Sequence, residues 1–566
     1  MSANDDMIKA KQDALQLLQS NRLADAWKAL EAVARLSPDD HEVWLNMGVI
    51  AAKQGDYDRA EPLFRRALVL EPDFPQTHFY MGHLLIKQNR LADALTSFQR
   101  YLQLQPDASD AHHQLAALYE KLGNSAAAEA AYREALRLDE SNVTSLVALG
   151  RVLLERGEYQ EARQLCERAI QLQPDAVNAY AVLITALRRQ RCFAAALQCN
   201  DKLVELMPHM RDEYLICKAQ MFVEQQHYEE ALECYAELMR SYPDSVSAHW
   251  NYSHLLLLLG RYKEGWDEYE WRSPNSPWYA AQAQYGGLKQ PLWNGESLAG
   301  RTILIHVEQG LGDAIQFGRY LLPLLSQAGR VIFHCHKELL GLFRRMPGLQ
   351  VEEVDYNQAR QQSFDYHLPL MSLARVMGTA VDSIPAEVPY LQADPSRVEE
   401  WRSRLDQDGF KVGLVWFGSK TNASDRMRSM KLSEYAPLAE IPGVILYSLQ
   451  KGADAGELEN FAEGRSLIDL APHLHDFDDT AAVIENLDLV ICVDTAVAHL
   501  AGALGRPVWI LIYQPTEWRW LLGRDDSPWY PTMRLFRQTA EEPTWPPVIS
   551  RVAAALCEQV AAQKKY

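Results

Sequence analysis

Apolar and polar positions in the first half of the chain alternate with a helical rhythm, and the rhythm itself recurs. Alanine returns at Ala26, Ala60, Ala94, Ala128, Ala162 and Ala196, and a phrase like Leu-x-Pro-Asp returns at Pro38, Pro72, Pro106, Pro174 and Pro208. The step is about 34 residues. Each step reads as two amphipathic helices. A large residue opens the first (Trp44, His78, His112, Tyr180), and a turn comes near Gly55, Asn89, Gly123 or Gly157. The alanine lets the second helix pack closely, and proline ends it. No single pair can bury its apolar stripe, so neighbours are expected to stack into a superhelix with a concave groove. The register slips by one residue at Ala231 and Pro243, and a last unit runs through Trp250, Gly260 and Gly265 to Trp271. The fourth step has Asp139-Glu140 where the others have proline. The pattern predicts about seven repeats over residues 7–273.

The period resembles that of tetratricopeptide repeats, whose groove usually holds a peptide. A passive adaptor is one reading of such an array, and the second half of the chain decides between that and an enzyme. Residues 274–300, rich in Pro, Gly, Ser and Asn with Trp278 and Trp293 among them, read as a packed connector. From Arg301 short apolar runs alternate with amphipathic helices: Ile303 to Val307, a helix from Ala314, Val331 to His334, a helix from Glu338. A second series starts at Val412 and continues through Val444 to Leu449, Ser466 to Leu470, Leu489 to Val493 and Val508 to Ile512. Such alternation predicts parallel sheets. The pattern is that of two doubly wound domains in tandem, at 301–395 and 396–545, with a closing helix over 546–566. Ligands of such sheets bind beyond the carboxyl ends of the strands, and the cleft between two facing domains is the natural reaction chamber.

Composition narrows the partners. A chain of 566 residues with 48% apolar content has ample core, and its net charge of −19 argues against nucleic acid or an anionic membrane as main partner. Eight cysteines without C-x-x-C spacing, a polar start from Met1 to Asp6 and no bilayer-length apolar run lead to the expectation of a reduced, cytoplasmic protein with no integral membrane segment.

Three strand ends carry candidate chemistry. After the first strand stands Glu308-Gln309-Gly310-Leu311-Gly312-Asp313. The glycines let the backbone approach a ligand, and Asp313 is either a reacting carboxylate or a helix N-cap with Gln316 completing a capping box. After the Leu489 to Val493 strand comes Asp494-Thr495-Ala496-Val497-Ala498-His499. Its small residues expose helix N-terminal amides that can hold a diphosphate, and His499 lies on the face of Thr495; Asp494 and Thr495 as plain caps and His499 as core filler is the alternative. The third is the loop Phe417-Gly418-Ser419-Lys420 with Arg426, Arg428 and Lys431, an anion trap or a solvated loop, to which Gln450 and Lys451 of the next strand end can add. His334 and His336 share a strand face, but two ligands without a third do not make a zinc site. Glu517-Trp518-Arg519-Trp520 and Ser527-Pro528-Trp529-Tyr530 suit a nucleobase or sugar face, or seal the domain edge.

The stretch from Ile303 to Pro323 with Gly312-Asp313 resembles the start of heptosyltransferase-type (glycosyltransferase family 9-like) enzymes. Val493-Asp494-Thr495-Ala496-x-x-His499 is similar to their donor-binding motif, with Ala496 where that family typically has Gly. The resemblance covers about Arg301 to Tyr566 and implies a GT-B fold: two facing Rossmann-like domains, the first holding mainly the acceptor and the second mainly the donor. It implies, too, that the closing helix crosses back to the first domain. By the same likeness Asp313 is the catalytic base, Gln309, Gly310, Leu311 and Gly312 form an acceptor-side loop, and the donor is held by Gly418, Ser419, Lys420, Arg428, Gln450, Lys451, Asp494, Thr495, Ala496 and His499.

Tetratricopeptide repeats joined to a GT-B module resemble, in architecture only, the O-linked N-acetylglucosamine transferases. The expectation is a bacterial hexosyl- or heptosyltransferase-like enzyme using a nucleotide-diphosphate sugar as co-substrate, no further cofactor and no metal, with inverting displacement onto a protein or peptide held by the repeats. A glycolipid or surface-polysaccharide transferase and a non-catalytic scaffold with a degenerate GT-B domain stay open.

Overall fold

The computed structural model describes residues 3–272, 288–405, 408–418, 425–453, 455–459, 461, 467–539 and 541–563. Residues 274–287 of the connector lie outside these residues, and Trp293 in the described part is buried. The chain divides into two compact units, Met1–Tyr214 and Leu215–Tyr566.

Helices pair in antiparallel fashion from Ala3–Gln19 with Leu23–Leu36 through Val246–Leu258 with Tyr262–Tyr269. The described residues hold eight such pairs, one more than the seven that the sequence pattern predicts. The turn inside each pair adopts positive φ, at Asn21, Gly55, Asn89, Gly123, Gly157, Arg191, Gln226 and Gly260. Where Asn, Arg or Gln takes the left-handed turn, the glycine signal is missing and a pair is easily passed over. The periodic alanines from Ala26 to Ala196 are fully buried. In five of the pairs the large residue near the start of the first helix supplies a donor as well as bulk. Trp44 Nε1 donates to the Pro38 carbonyl at 2.8 Å, the Tyr180 hydroxyl to that of Pro174 at 3.2 Å, and ring nitrogens of His78, His112 and His249 reach those of Pro72, Pro106 and Pro243 at 2.7, 2.8 and 2.7 Å. The repeat with Glu140 in place of proline has Leu146 at the donor position, so the side-chain donor is absent there while a backbone carbonyl remains.

The second unit contains the last helix pairs and two all-parallel sheets. The first sheet comprises β1 (Thr302–His306), β2 (Arg330–Cys335), β3 (Leu349–Glu353) and β4 (Tyr366–Pro369) in the order β3-β2-β1-β4. The second comprises β5 (Phe410–Val415), β6 (Val444–Ser448), β7 (Leu467–Asp469), β8 (Leu489–Val493), β9 (Val508–Ile512) and β10 (Met533–Arg537) in the order β10-β9-β8-β5-β6-β7. In both, strand order reverses beside the first strand: between β1 and β4, and between β5 and β8. Those are the topological switch points where a crevice opens.

Repeat sequence and compact unit end at different places because the last helices are part of the sheet core. Tyr262, Trp266 and Tyr269 are at most 2% exposed, within the apolar cluster that includes Phe317, Trp518 and Trp529. Trp266 Nε1 donates to the Thr379 carbonyl at 3.1 Å. The closing helix, Pro546–Gln563, does not cross back to the first sheet. Its Val548, Ile549, Val552 and Leu556 pack with Phe410, Val412, Tyr435 and Leu438 on the second, because its apolar face matches the uncovered side of that sheet.

Candidate active site

The loop after β1 is built from its neighbours. Glu308 is buried, accepts the Met371 amide at 3.1 Å across the switch point, and pairs with the buried Arg272 at 3.0 Å. Burial pushes the Glu308 carboxyl up and the Arg272 guanidinium pulls it back. Gln309 donates to the Tyr269 hydroxyl at 3.0 Å, and its carbonyl lies 2.7 Å from His336 Nε2. His336 lies just past the end of β2, and the two histidines diverge, since His334 Nε2 faces the Gln362 side-chain oxygen at 3.1 Å.

The next helix runs Leu311–Phe317, with Gly310 as its N-cap residue. Asp313 is thus the third residue of the helix and not its N-cap, and Oδ2 reaches back to accept the Gly310 amide at 3.0 Å. Gln316 does not complete a box with it, because its side-chain oxygen accepts from Arg519 Nε at 2.6 Å. Asp313 Oδ1 is held by Arg519 Nη2.

The loop after β8 lies against this one. Ala496–Ala503 is a helix with Thr495 as N-cap residue in extended backbone, and the Thr495 side chain makes no cap bond. A Cβ placed on Gly312 would stand 3.1 Å from His499 Cδ2 and 3.5 Å from Ala496 Cα, so the two loops touch through the absence of a side chain. His499 is buried, stacked on Trp520 at 5.7 Å, with Nδ1 3.1 Å from the Tyr530 hydroxyl. Burial first, then Arg519, Arg319 and Arg428, push its pKa well below the ordinary value, so the ring is neutral. Asp494 Oδ2 accepts from Trp520 Nε1 at 3.1 Å, and Arg428 Nη1 donates to the Asp494 carbonyl at 2.9 Å.

Of the sequence-predicted residues, Asp313, Gly312, Arg428, Asp494, Ala496 and His499 come together, with Gly310, Leu311 and Thr495 adjacent in the same loops. Gln309 turns to Tyr269. Gly418 ends the described part of its loop, and Ser419 and Lys420 lie outside the described residues. Gln450 is buried, and its side-chain oxygen accepts the Trp416 and Phe417 amides, each at 2.9 Å, so it shapes the strand end from beneath. Lys451 Nζ is held by the Leu474 carbonyl and, at 3.4 Å, by that of Ala471. Its length lets it reach the next strand end instead of Asp494.

Two arginines join the site: Arg319, which the sequence pattern does not single out, and Arg519, which it places only in an aromatic run suited to a base or sugar face or to sealing the domain edge. Arg319, 1% exposed, donates to the Gln316 carbonyl at 2.9 Å, to the Trp529 carbonyl and to that of Pro385 at 3.2 Å, and stacks over Tyr530 at 4.4 Å. It ties the first lobe's helix to the second lobe. Arg519, with Glu517, stands in the aromatic run after β9, whose Trp518 and Trp520 are buried, so that run seals the lobes and presents no open stacking face. The signal for Arg519 was its place just beyond the carboxyl end of the strand next to β8.

Residues 433–543 match the model of glycosyltransferase family 9 (heptosyltransferase), and residues 113–177, 147–209 and 218–270 match that of the tetratricopeptide repeat. Residues 18–129 match the middle TPR-like domain of cilia and flagella-associated protein 70. The chain is 32% identical over 327 residues to Protein FlbA of Caulobacter vibrioides, covering 53% of each, so it spans about half the length of that curated relative. Among solved structures, MamA 41-end from Desulfovibrio magneticus RS-1 is 22% identical with a TM-score of 0.29, covering 30% of this chain and 97% of that one. PilF of Pseudomonas aeruginosa is 17% identical with a TM-score of 0.33, covering 43% and 96%. No helix among the described residues is long and apolar enough to cross a membrane.

Proposed function

From a chain that joins tetratricopeptide repeats to a glycosyltransferase family 9 domain, we propose a glycosyltransferase that moves a sugar from a nucleotide-diphosphate sugar to a hydroxyl of a protein bound by the repeats. The observation that carries the reading is the contact of Gly312 with Ala496 and His499. It brings a carboxylate at the switch point of one sheet beside a helix N-terminus and Arg428 at the switch point of the other.

In the proposed step the Asp313 carboxylate takes the proton of the acceptor hydroxyl as its oxygen attacks the anomeric carbon. The bond from that carbon to the donor phosphate breaks, the configuration inverts, and both electrons leave with the diphosphate. The Ala496–Ala503 helix N-terminus and Arg428 meet that charge. His499 is neutral and adds no charge of its own; it packs the floor between Gly312 and Trp520.

The test uses UDP, GDP, ADP and dTDP with their sugar derivatives. A bound nucleotide at a hundred times its Kd should stabilise the protein by about 2.7 kcal/mol. With the matching donor, intact mass of co-expressed proteins should rise by one sugar, and Asp313→Asn should abolish the gain. Sugar appearing only in the lipid fraction would move the acceptor to a glycolipid. No stabilisation by any nucleotide and no transfer would leave a scaffold.

A further inference from the structure

We infer that Arg519 is the positioning residue of this site: reaching from the second lobe, its guanidinium aims the Asp313 carboxylate, while Glu517 and Gln316 hold the guanidinium. The inference rests on reading Asp313 as the base.

The geometry is that of a fork with every prong assigned. Nη2 holds Asp313 Oδ1, Nη1 holds Glu517 Oε1, and Nε donates to Gln316 Oε1 at 2.6 Å. One face of the guanidinium lies over Trp518 at 4.3 Å, and the side chain is 12% exposed. The Arg519 amide donates to Glu517 Oε2 at 2.8 Å, so Glu517 grips side chain and backbone of the same residue. With Gly310 on its other oxygen, the Asp313 carboxylate is fixed at both ends, one from its own helix and one from the opposite lobe. A base fixed in this way is oriented only when the lobes are together.

Two features set this bridge apart from a surface ion pair. One guanidinium serves two carboxylates, and burial pushes the Glu517 carboxyl up to about 7 against the pull of Arg519. The turn that carries it is also held under strain: Leu521, directly after the Trp518–Trp520 turn, sits at φ 51° and ψ −169°, backbone that is essentially glycine's. A lysine at 519 would supply charge without the planar fork.

The test uses the full chain and four variants: Arg519→Gln, Arg519→Lys, Asp313→Asn and the Gln/Asn double variant. Donor-site binding is probed with UDP, GDP and ADP, and transfer with whichever of their sugars the wild type turns over. Arg519→Gln should lower kcat by about 10²-fold, the scale of a displaced reacting group. KM and the nucleotide-induced thermal shift should stay within about twofold, and Arg519→Lys should fall between the two. In the Asp313→Asn background the same change should cost almost nothing more, since there is no base left to aim. A loss repeated in full in that background, or one that falls on KM alone, overturns the inference. Amide exchange at Gly310 separates the two claims if no sugar is turned over by the wild type. Faster exchange in both Arg519 variants keeps Arg519 as the residue that fixes Asp313 while the transferase reading falls; unchanged exchange removes it.

Discussion

Nε1 of Trp520 donates to Oδ2 of Asp494 across 3.1 Å, and the residue before it, Arg519, holds Asp313. One short turn thus grips the aspartate of each loop, from the two different sheets. The aspartates are set by one element, so a shift of that turn displaces both.

Trp520→Phe separates ring from donor. The phenyl ring can still stack on His499, but Asp494 loses a hydrogen bond to a charged acceptor. Such bonds are worth about 1.5–3 kcal/mol. Thermal unfolding should register a loss at the lower end of that range, because Asp494 is 13% exposed and gains water in exchange. If Asp494 orders the donor helix, calorimetry should show nucleotide-diphosphate affinity falling about tenfold. Unaltered affinity would take Asp494 out of the donor site.

Gly312→Ala probes lobe contact directly. The added methyl would meet His499 Cδ2 at 3.1 Å, and His499 is backed by Trp520 and Tyr530, so it has little room to yield. Overpacking of this kind costs about 1–3 kcal/mol. The variant should remain folded, since each lobe keeps its own sheet, and transfer should fall with the loops held apart. Full activity would mean that the reaction does not require this contact.

Glu517 gives the site a pH signature. Its folded pKa, about 7, is raised by burial above its ordinary value. The stability it contributes is therefore fully present below the ordinary carboxylate range and lost as pH rises through about 7. Glu517→Gln stays neutral throughout, so its melting temperature should gain on the wild type between pH 5 and pH 8. Parallel curves across that interval would show that the carboxyl titrates normally and that Arg519 is fully paired at neutral pH.

The parts legible in the sequence are those with a local cause. Helix pairs announce themselves through Ala26 and its successors, and Leu489 to Val493 and Val508 to Ile512 appear as strands at the expected residues because each is a continuous apolar run. β3, β4 and β10 carry no such run. Leu349–Glu353 and Met533–Arg537 mix charged with apolar side chains, and Tyr366–Pro369 is four residues ending in proline. Asp313 and Asp494 stand out because strand, small residues and acid are next to one another. Arg519 joins Asp313 from 206 residues away. Asp313 and Gln316 belong to the other sheet's first helix, and no local pattern records that meeting.

The repeats cannot be cut from the two sheets at the place the sequence suggests. By sequence the break falls after residue 273, but the compact unit starts at Leu215, and the helix crossing that point begins at Arg211. A chain of residues 274–566 would lose Tyr262, Trp266 and Tyr269 from the core around Phe317 and Trp518. Removing a buried Phe or Trp costs about 3–5 kcal/mol. It would also lose Arg272, leaving Glu308 buried without its guanidinium partner, a further loss of about 3–5 kcal/mol. Together these losses are as large as the usual stability of a domain. Residues 274–566 should therefore show no cooperative melt, whereas residues 208–566 should melt cooperatively and keep the nucleotide-induced shift. If the missing pairs select the protein acceptor, the longer fragment should bind donor and yet fail to modify protein. Cooperative melting of the shorter fragment, with nucleotide binding intact, would show that the last helix pairs are an attachment and not part of the core that carries the sheets.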